Sequence, residues 1–106
     1  MLTFARYYKR ENLISRKLDI EEEAYEKLVY LSNNVYDASI NKLVNSAIEE
    51  LLKTEKIQLY NMKNKNYISR SFLIRESFLE GLYELKDKYK ISINLLVNIA
   101  IKNVVN

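Results

Sequence analysis

The groups in this chain that can do chemistry are cations, hydroxyls and side-chain amides; nucleophiles and metal ligands are scarce. Histidine and cysteine are absent and glycine occurs once. General-base catalysis by imidazole, thiolate chemistry, disulfides and a glycine-rich phosphate loop are therefore excluded, and no pair of carboxylates is placed in an evident cleft. No enzymatic activity, cofactor or small-molecule substrate is expected. The consecutive Glu21, Glu22 and Glu23 are the sharpest metal candidate, but neighbouring helical residues point in different directions and a hard cation needs converging oxygens. No metal site is expected. The cations are informative through their distribution. The formal net charge is only +3. Residues 1–18 and 53–75 together hold eleven Lys or Arg against two Glu, a net of +9, and the remainder carries −6. Such a split is the footprint of a polyanion binder.

The hydroxyls and amides recur in register. Residues 39–48 read SINKLVNSAI and residues 92–101 read SINLLVNIAI, with eight of the ten letters identical. Upstream, Ile14-Ser15-Arg16 matches Ile68-Ser69-Arg70 at an offset of 54 positions, which falls to 53 after Val35 and Tyr89. The repeats run over 14–52 and 68–106, with an arm over 1–13 and a linker over 53–67. Neither unit, at about 40 residues, buries enough core to fold alone without a staple or a partner.

Within each copy the elements follow from periodicity. Leu18 and Ile20 alternate with Lys17 and Asp19, and Ile68, Phe72 and Ile74 alternate with Ser69, Ser71 and Leu73, so a half-buried strand of about seven residues is predicted. Ala24, Leu28, Leu31 and Val35, answered by Phe78, Leu82, Leu85 and Tyr89, have the spacing of an amphipathic helix. Glu21 to Glu23 open the first such helix, where negative charge complements its dipole. A turn follows at Asn33-Asn34 and Asp37, and in the second copy at Lys88 to Lys90; Asp37 or an Asn tolerates the left-handed backbone that closes a helix where Gly is missing. Ser39 and Ser92 then N-cap a second helix. Its apolar face is Ile40, Leu43, Val44, Ala47, Ile48, Leu51 and Leu52 in one copy, and Ile93, Leu96, Val97, Ala100, Ile101, Val104 and Val105 in the other.

A strand followed by two helices, with residues 20–28 reading IEEEAYEKL and the Ser39–Ile48 segment, each with a counterpart in the second copy, resembles the ribbon-helix-helix (Arc/MetJ-type) DNA-binding proteins in tandem. The resemblance covers about three-quarters of the chain. The fold it implies is mainly α with a two-stranded antiparallel β-ribbon, the two repeats closing into an intramolecular pseudo-dimer. In such proteins the ribbon enters the DNA major groove and the second helix holds a phosphate at its N-terminus. With Leu18, Ile20, Phe72 and Ile74 inward, the residues carried to the base-reading face are Ser15, Lys17 and Asp19 with Ser69, Ser71 and Leu73. Arg16 and Arg70, at inward phase near the ribbon ends, would snorkel to the DNA backbone. Ser39 and Asn41, with Ser92 and Asn94, are the candidate phosphate clamps. Where the family commonly has Gly two residues before this Ser, Asp37 and Lys90 stand here, and Asp37 would repel a phosphate.

Two segments depart from the repeat. Arg6, Lys9 and Arg10 are a candidate DNA arm; alternatively Leu2, Phe4, Tyr7 and Tyr8 pack on the domain. Lys42 and Ser46 of the first copy become Leu95 and Ile99 in the second, an apolar stripe that something must cover. Residues Ile57, Leu59, Tyr60 and Met62, the arm or another molecule are the candidates, so Leu95 and Ile99 are a candidate partner surface. The expected function is a sequence-specific double-stranded DNA-binding protein, a transcriptional repressor or plasmid-type accessory factor, with chains self-associating on DNA. An antitoxin-like or scaffolding module on the same fold is the alternative. No apolar run approaches a membrane span, no signal-peptide core is evident, and a cytoplasmic location is expected.

Overall fold

Two nine-residue stretches of alternating apolar and polar side chains pair with each other, and the four helices pack on one face of that pair. In this computed structural model, which describes residues 12–35, 39–61, 63 and 65–105, the order is β1 (Leu13–Glu21), α1 (Glu22–Asn34), α2 (Ile40–Thr54), β2 (Tyr67–Arg75), α3 (Glu76–Tyr89) and α4 (Ile93–Val105). The fold is mainly helical, with one two-stranded antiparallel sheet and four helices. The register runs from Leu13 opposite Arg75 to Glu21 opposite Tyr67, with Lys17 opposite Ser71 at its middle. Lys17 and Ser71 are also equivalents in the repeat, so the register is symmetric about this pair.

A two-stranded ribbon is marginal by itself in water and needs something to cover its apolar face. Leu18, Ile20, Phe72 and Ile74 are that face, and all four are buried. They join one core cluster with Leu28, Val44, Ile48 and Leu51 from α1 and α2, and with Leu82, Leu96, Val97 and Ile101 from α3 and α4. Each large apolar side chain buried in this way contributes about 1.5–3 kcal/mol relative to exposure. Gly81, the single glycine, lies in α3 where α2 comes close; a Cβ there would meet the Leu52 methyls at 2.8 and 2.9 Å.

Several local expectations are corrected. Both strands run to nine residues, because register pairing continues beyond the clean alternation. Glu21 is the last residue of β1 and is buried, so only Glu22 and Glu23 stand in the first turn of α1. Asn33 and Asn34 are helical, and the Asn34 side chain donates to the Tyr30 carbonyl one turn back at 3.1 Å. Val35, at 55% exposed, and Tyr89, at 39%, leave the core stripe because they stand at or beyond the end of their helices, and Leu79 is buried in α3 instead. Val104 is exposed near the end of α4 for the same reason. The turn in the second copy closes at Lys90 in left-handed backbone, with φ 58°, and Asp37, the residue suited to that conformation in the first copy, lies outside the described residues. Glu55, also left-handed at φ 49°, ends α2; its carboxylate accepts from Lys88 and from the Tyr89 hydroxyl, each at 2.8 Å. Lys88 and then Tyr89 hold the Glu55 carboxyl below its ordinary range, and the Glu55 carboxylate in turn raises Lys88.

Candidate nucleic-acid interface

The outer face of the ribbon is set by strand alternation alone: once four apolar residues turn inward, the residues between them face water. Ser15, Lys17 and Asp19 of β1 and Ser69, Ser71 and Leu73 of β2 are all exposed there. They form three cross-strand pairs, Ser15 with Leu73, Lys17 with Ser71 and Asp19 with Ser69. Successive pairs on one face are spaced about 7 Å apart, so the strip is about 14 Å long. Its chemistry is graded along that length: an apolar group with a hydroxyl at one side, a cation with a hydroxyl at the centre, a carboxylate with a hydroxyl at the other. The Ser69 hydroxyl donates to the Asp19 carboxylate, so these two act as a unit.

Arg16 and Arg70 are placed differently from expectation. The strands extend to Leu13 and Arg75, so each arginine lies one pair from the ribbon centre rather than near its ends. Both point to the helical side. The Arg16 guanidinium lies 5.8 Å from the Tyr83 ring centroid and donates to the Tyr83 hydroxyl at 2.9 Å. Arg70 lies 5.5 Å from the Tyr25 ring and donates to the Ser69 carbonyl at 2.8 Å. Stacking holds the two cations at the flanks of the strip, with Arg70 exposed and Arg16 partly so.

The second helices meet the ribbon at their N-termini. Ser39 Oγ accepts from Lys42 N at 3.2 Å and Ser92 Oγ from Leu95 N at 3.1 Å, so both serines are N-caps. Capping satisfies one first-turn amide; the others have no acceptor within the helix and suit an anion. The side chains of Asn41 and Asn94 are engaged elsewhere. Asn41 Oδ1 accepts from Leu73 N and Asn94 Oδ1 from Asp19 N, each at 3.2 Å. One turn on, Asn45 donates to the Leu73 carbonyl at 2.8 Å and accepts from Arg75 N at 3.0 Å. Asn98 donates to the Asp19 carbonyl at 2.9 Å and accepts from Glu21 N at 2.9 Å. In a two-stranded ribbon each strand has an outer edge of unpaired backbone groups, open to another strand. Four asparagines occupy one part of each edge, at Asp19 and Glu21 of β1 and at Leu73 and Arg75 of β2, and tie each capped N-terminus to the strand beside it. Asn45 and Asn98 were not singled out from sequence. The signal for them was present in the two decapeptides, which share Asn at both the third and the seventh position.

Beside the ribbon end, Glu21 is 4% exposed and ion-paired to Lys102 at 2.9 Å and to Lys65 at 3.9 Å. The Lys102 ammonium also sits 3.9 Å from the Tyr60 ring centroid. Burial pushes the Tyr60 hydroxyl above its ordinary pKa, and Tyr67 and Glu21 add to the shift.

The expectation that Leu95 and Ile99 form a partner surface is corrected. Ile99 is 1% exposed and part of the core, and Leu95 is half-buried against it. Ile57 and Tyr60 of the segment between the repeats pack on the same cluster, and Asn103 donates to the Lys56 carbonyl at 3.0 Å. The chain covers the stripe itself because this segment must cross α4 to reach β2; Leu59 stays exposed and Met62 lies outside the described residues. Arg6, Lys9 and Arg10 also lie outside them.

Among the described residues no group of three or more carboxylates is arranged to hold a metal, and no helix is long and apolar enough to cross a membrane. No family model, no curated protein and no solved structure matches the chain.

Proposed function

We propose that this chain is a sequence-specific double-stranded DNA-binding protein, acting as a repressor or plasmid-type accessory factor, in which two ribbon-helix-helix repeats form an intramolecular pseudo-dimer. The observation that carries the reading is a ribbon exposed on one face and bracketed by two capped helix N-termini, each tied by asparagines to the strand edge beside it. With each edge partly occupied, the outer face, whose six residues are all exposed, is the surface open for recognition. Its pairing with DNA is a matter of shape and chemistry. A major groove about 12 Å wide admits a two-stranded ribbon. Lys17 donates to guanine O6 or N7, the serines adapt to several bases, Leu73 lies on a thymine methyl, and the Asp19–Ser69 pair accepts from cytosine N4. Arg16 and Arg70, at the flanks, and the amides following Ser39 and Ser92 take phosphates.

The pseudo-dimer rests on the offset that makes Lys17 and Ser71 equivalent and on the matched asparagine contacts. Covalent linkage removes the concentration dependence of assembly. The free protein should sediment as a monomer at micromolar concentration; an obligate dimer that survives dilution contradicts this. Because Asp19 is equivalent to Leu73 and Lys17 to Ser71, the site under one chain should not be palindromic.

Selection from a random duplex library returns that site, and titrations on it test the surface. With about five to seven phosphates neutralised, log affinity should fall against log salt with a slope of about −5 to −6. Lys17→Ala should weaken binding by about 1–3 kcal/mol and relax preference at one base pair. Arg70→Ala should weaken all sequences alike and make the slope shallower by about one. If both variants bind as the wild type does, the ribbon is not the DNA surface.

A further inference from the structure

The outer strip of the ribbon carries one acid among its six residues, and a carboxylate facing a polyanion is a cost unless it recognises something. Asp19 is exposed, and the Ser69 hydroxyl across the ribbon donates to it. That bond uses the only polar proton of the serine side chain, so Ser69 keeps acceptor lone pairs alone, and an ionised Asp19 has nothing but acceptors. The side chains of the pair therefore offer the groove no donor. The backbone beneath is fixed as well: Asp19 N donates to Asn94 Oδ1 at 3.2 Å, and the Asp19 carbonyl accepts from Asn98 at 2.9 Å.

The equivalent position in the second copy is Leu73, held in the same way by Asn41 at 3.2 Å and by Asn45 at 2.8 Å. The residue across the ribbon is serine in both cases, Ser69 for Asp19 and Ser15 for Leu73. Two matching frames thus differ in one side chain, a carboxylate against a branched apolar group, on either side of the Lys17–Ser71 pair.

We propose that Asp19 and Ser69 set specificity by exclusion and give the chain a single direction on DNA. This rests on the ribbon being the DNA surface, and goes beyond it in assigning what that surface refuses. In the major groove guanine shows two acceptors, N7 and O6, and thymine shows O4 and a methyl; cytosine shows the N4 amine, and adenine sets its N6 amine beside the N7 acceptor. An edge made only of acceptors meets cytosine without conflict. It turns away guanine, thymine and phosphate, since each would leave the carboxylate desolvated and unpaired. Turned end for end, the chain would set Asp19 over the methyl that Leu73 had covered and Leu73 over the cytosine amine, and both contacts would be lost. Asp19 lies about 7 Å along the strip from the central pair, or about two base-pair steps at about 3.4 Å each. The cytosine should therefore fall about two steps to one side of the guanine read by Lys17.

Asp19→Asn is close to isosteric and can both donate and accept. On duplexes differing only at that base pair, wild type should prefer cytosine to guanine by at least about tenfold, and Asp19→Asn by about twofold or less. Affinity of Asp19→Asn for a scrambled duplex should rise about two- to fivefold, because one negative charge has left the groove, whereas Lys17→Ala lowers it. Ser69 is a positioning residue: Ser69→Ala should reduce the cytosine preference with the salt slope unchanged, and Ser69→Thr should keep it. The decisive variant exchanges the two side chains, Asp19→Leu/Leu73→Asp, with Ser15 standing opposite the new acid as Ser69 stood opposite the old. Selection from a random duplex library should then return the cytosine on the opposite side of the guanine. If Asp19→Asn keeps the full preference, or the exchange leaves the cytosine where it was, the inference fails while the ribbon remains the DNA surface. If wild type selects no duplex, or Lys17→Ala and Arg70→Ala bind as it does, the DNA reading falls first and this inference with it.

Discussion

Replacing Asn98 with leucine is expected to destabilise the protein by about 2–5 kcal/mol, a large part of the 5–15 kcal/mol typical of a domain. Asn98 is fully buried and contributes both halves of the seal on β1, accepting from Glu21 N and donating to the Asp19 carbonyl. Leucine has similar volume, so little cavity is created. What is lost is the partner of two backbone groups that water cannot easily reach, and each such group costs about 1–3 kcal/mol to leave unsatisfied. Asn45→Leu makes the internal comparison. Asn45 performs the same task on β2, for Leu73 and Arg75, but is only half-buried. Water can take over part of its role, and about 1–2 kcal/mol is expected. Urea denaturation of both variants reads the difference directly. Asn98→Leu within about 0.5 kcal/mol of wild type, the range of ordinary surface changes, would mean that the β1 edge does not depend on this amide.

The second large effect is expected at the Glu21–Lys102 pair. Lys102→Met should cost about 3 kcal/mol or more, because a carboxylate 4% exposed then keeps only Lys65, at 3.9 Å, as a counter-charge. The pair itself need not be stabilising. Removing both charges together, as Glu21→Leu/Lys102→Met, should bring stability back to within about 1 kcal/mol of wild type or above it, since desolvation offsets most of the Coulomb gain of a buried pair. A double-mutant cycle in thermal or urea unfolding checks this, with a coupling of about 2–3 kcal/mol expected between the two sites. Additive losses would mean that the two side chains act independently and that Glu21 is solvated in solution.

These two predictions concern residues that sequence reasoning treated differently from each other. Glu21 was read as an opener of α1, because three glutamates before an apolar helical stripe have that look. Asn98 was not singled out at all, although its letter is repeated at the same place in both decapeptides. In each case the residue type was plain and the environment was not.

What the sequence determined by itself is what depends on neighbours along the chain. The 54-residue offset, the inward phase of Leu18, Ile20, Phe72 and Ile74, the outward phase of Ser15, Lys17 and Ser71, and the capping of two helices by Ser39 and Ser92 all follow from period and local hydrogen bonding. Tertiary structure decided whatever depends on which elements meet. The carbonyl of Asp19 lacks a partner only because β1 pairs with β2 alone, and Asn98 supplies one only because α4 crosses that edge. Glu21 enters the core because Lys102 arrives from 81 residues away. Ile99 is buried because it joins the core cluster on which Ile57 and Tyr60 of the intervening segment also pack. Arg16 is drawn to a flank because the Tyr83 ring is there to receive it. Such contacts have no period to reveal them: each joins groups distant in sequence, and its energy comes from desolvating both at once.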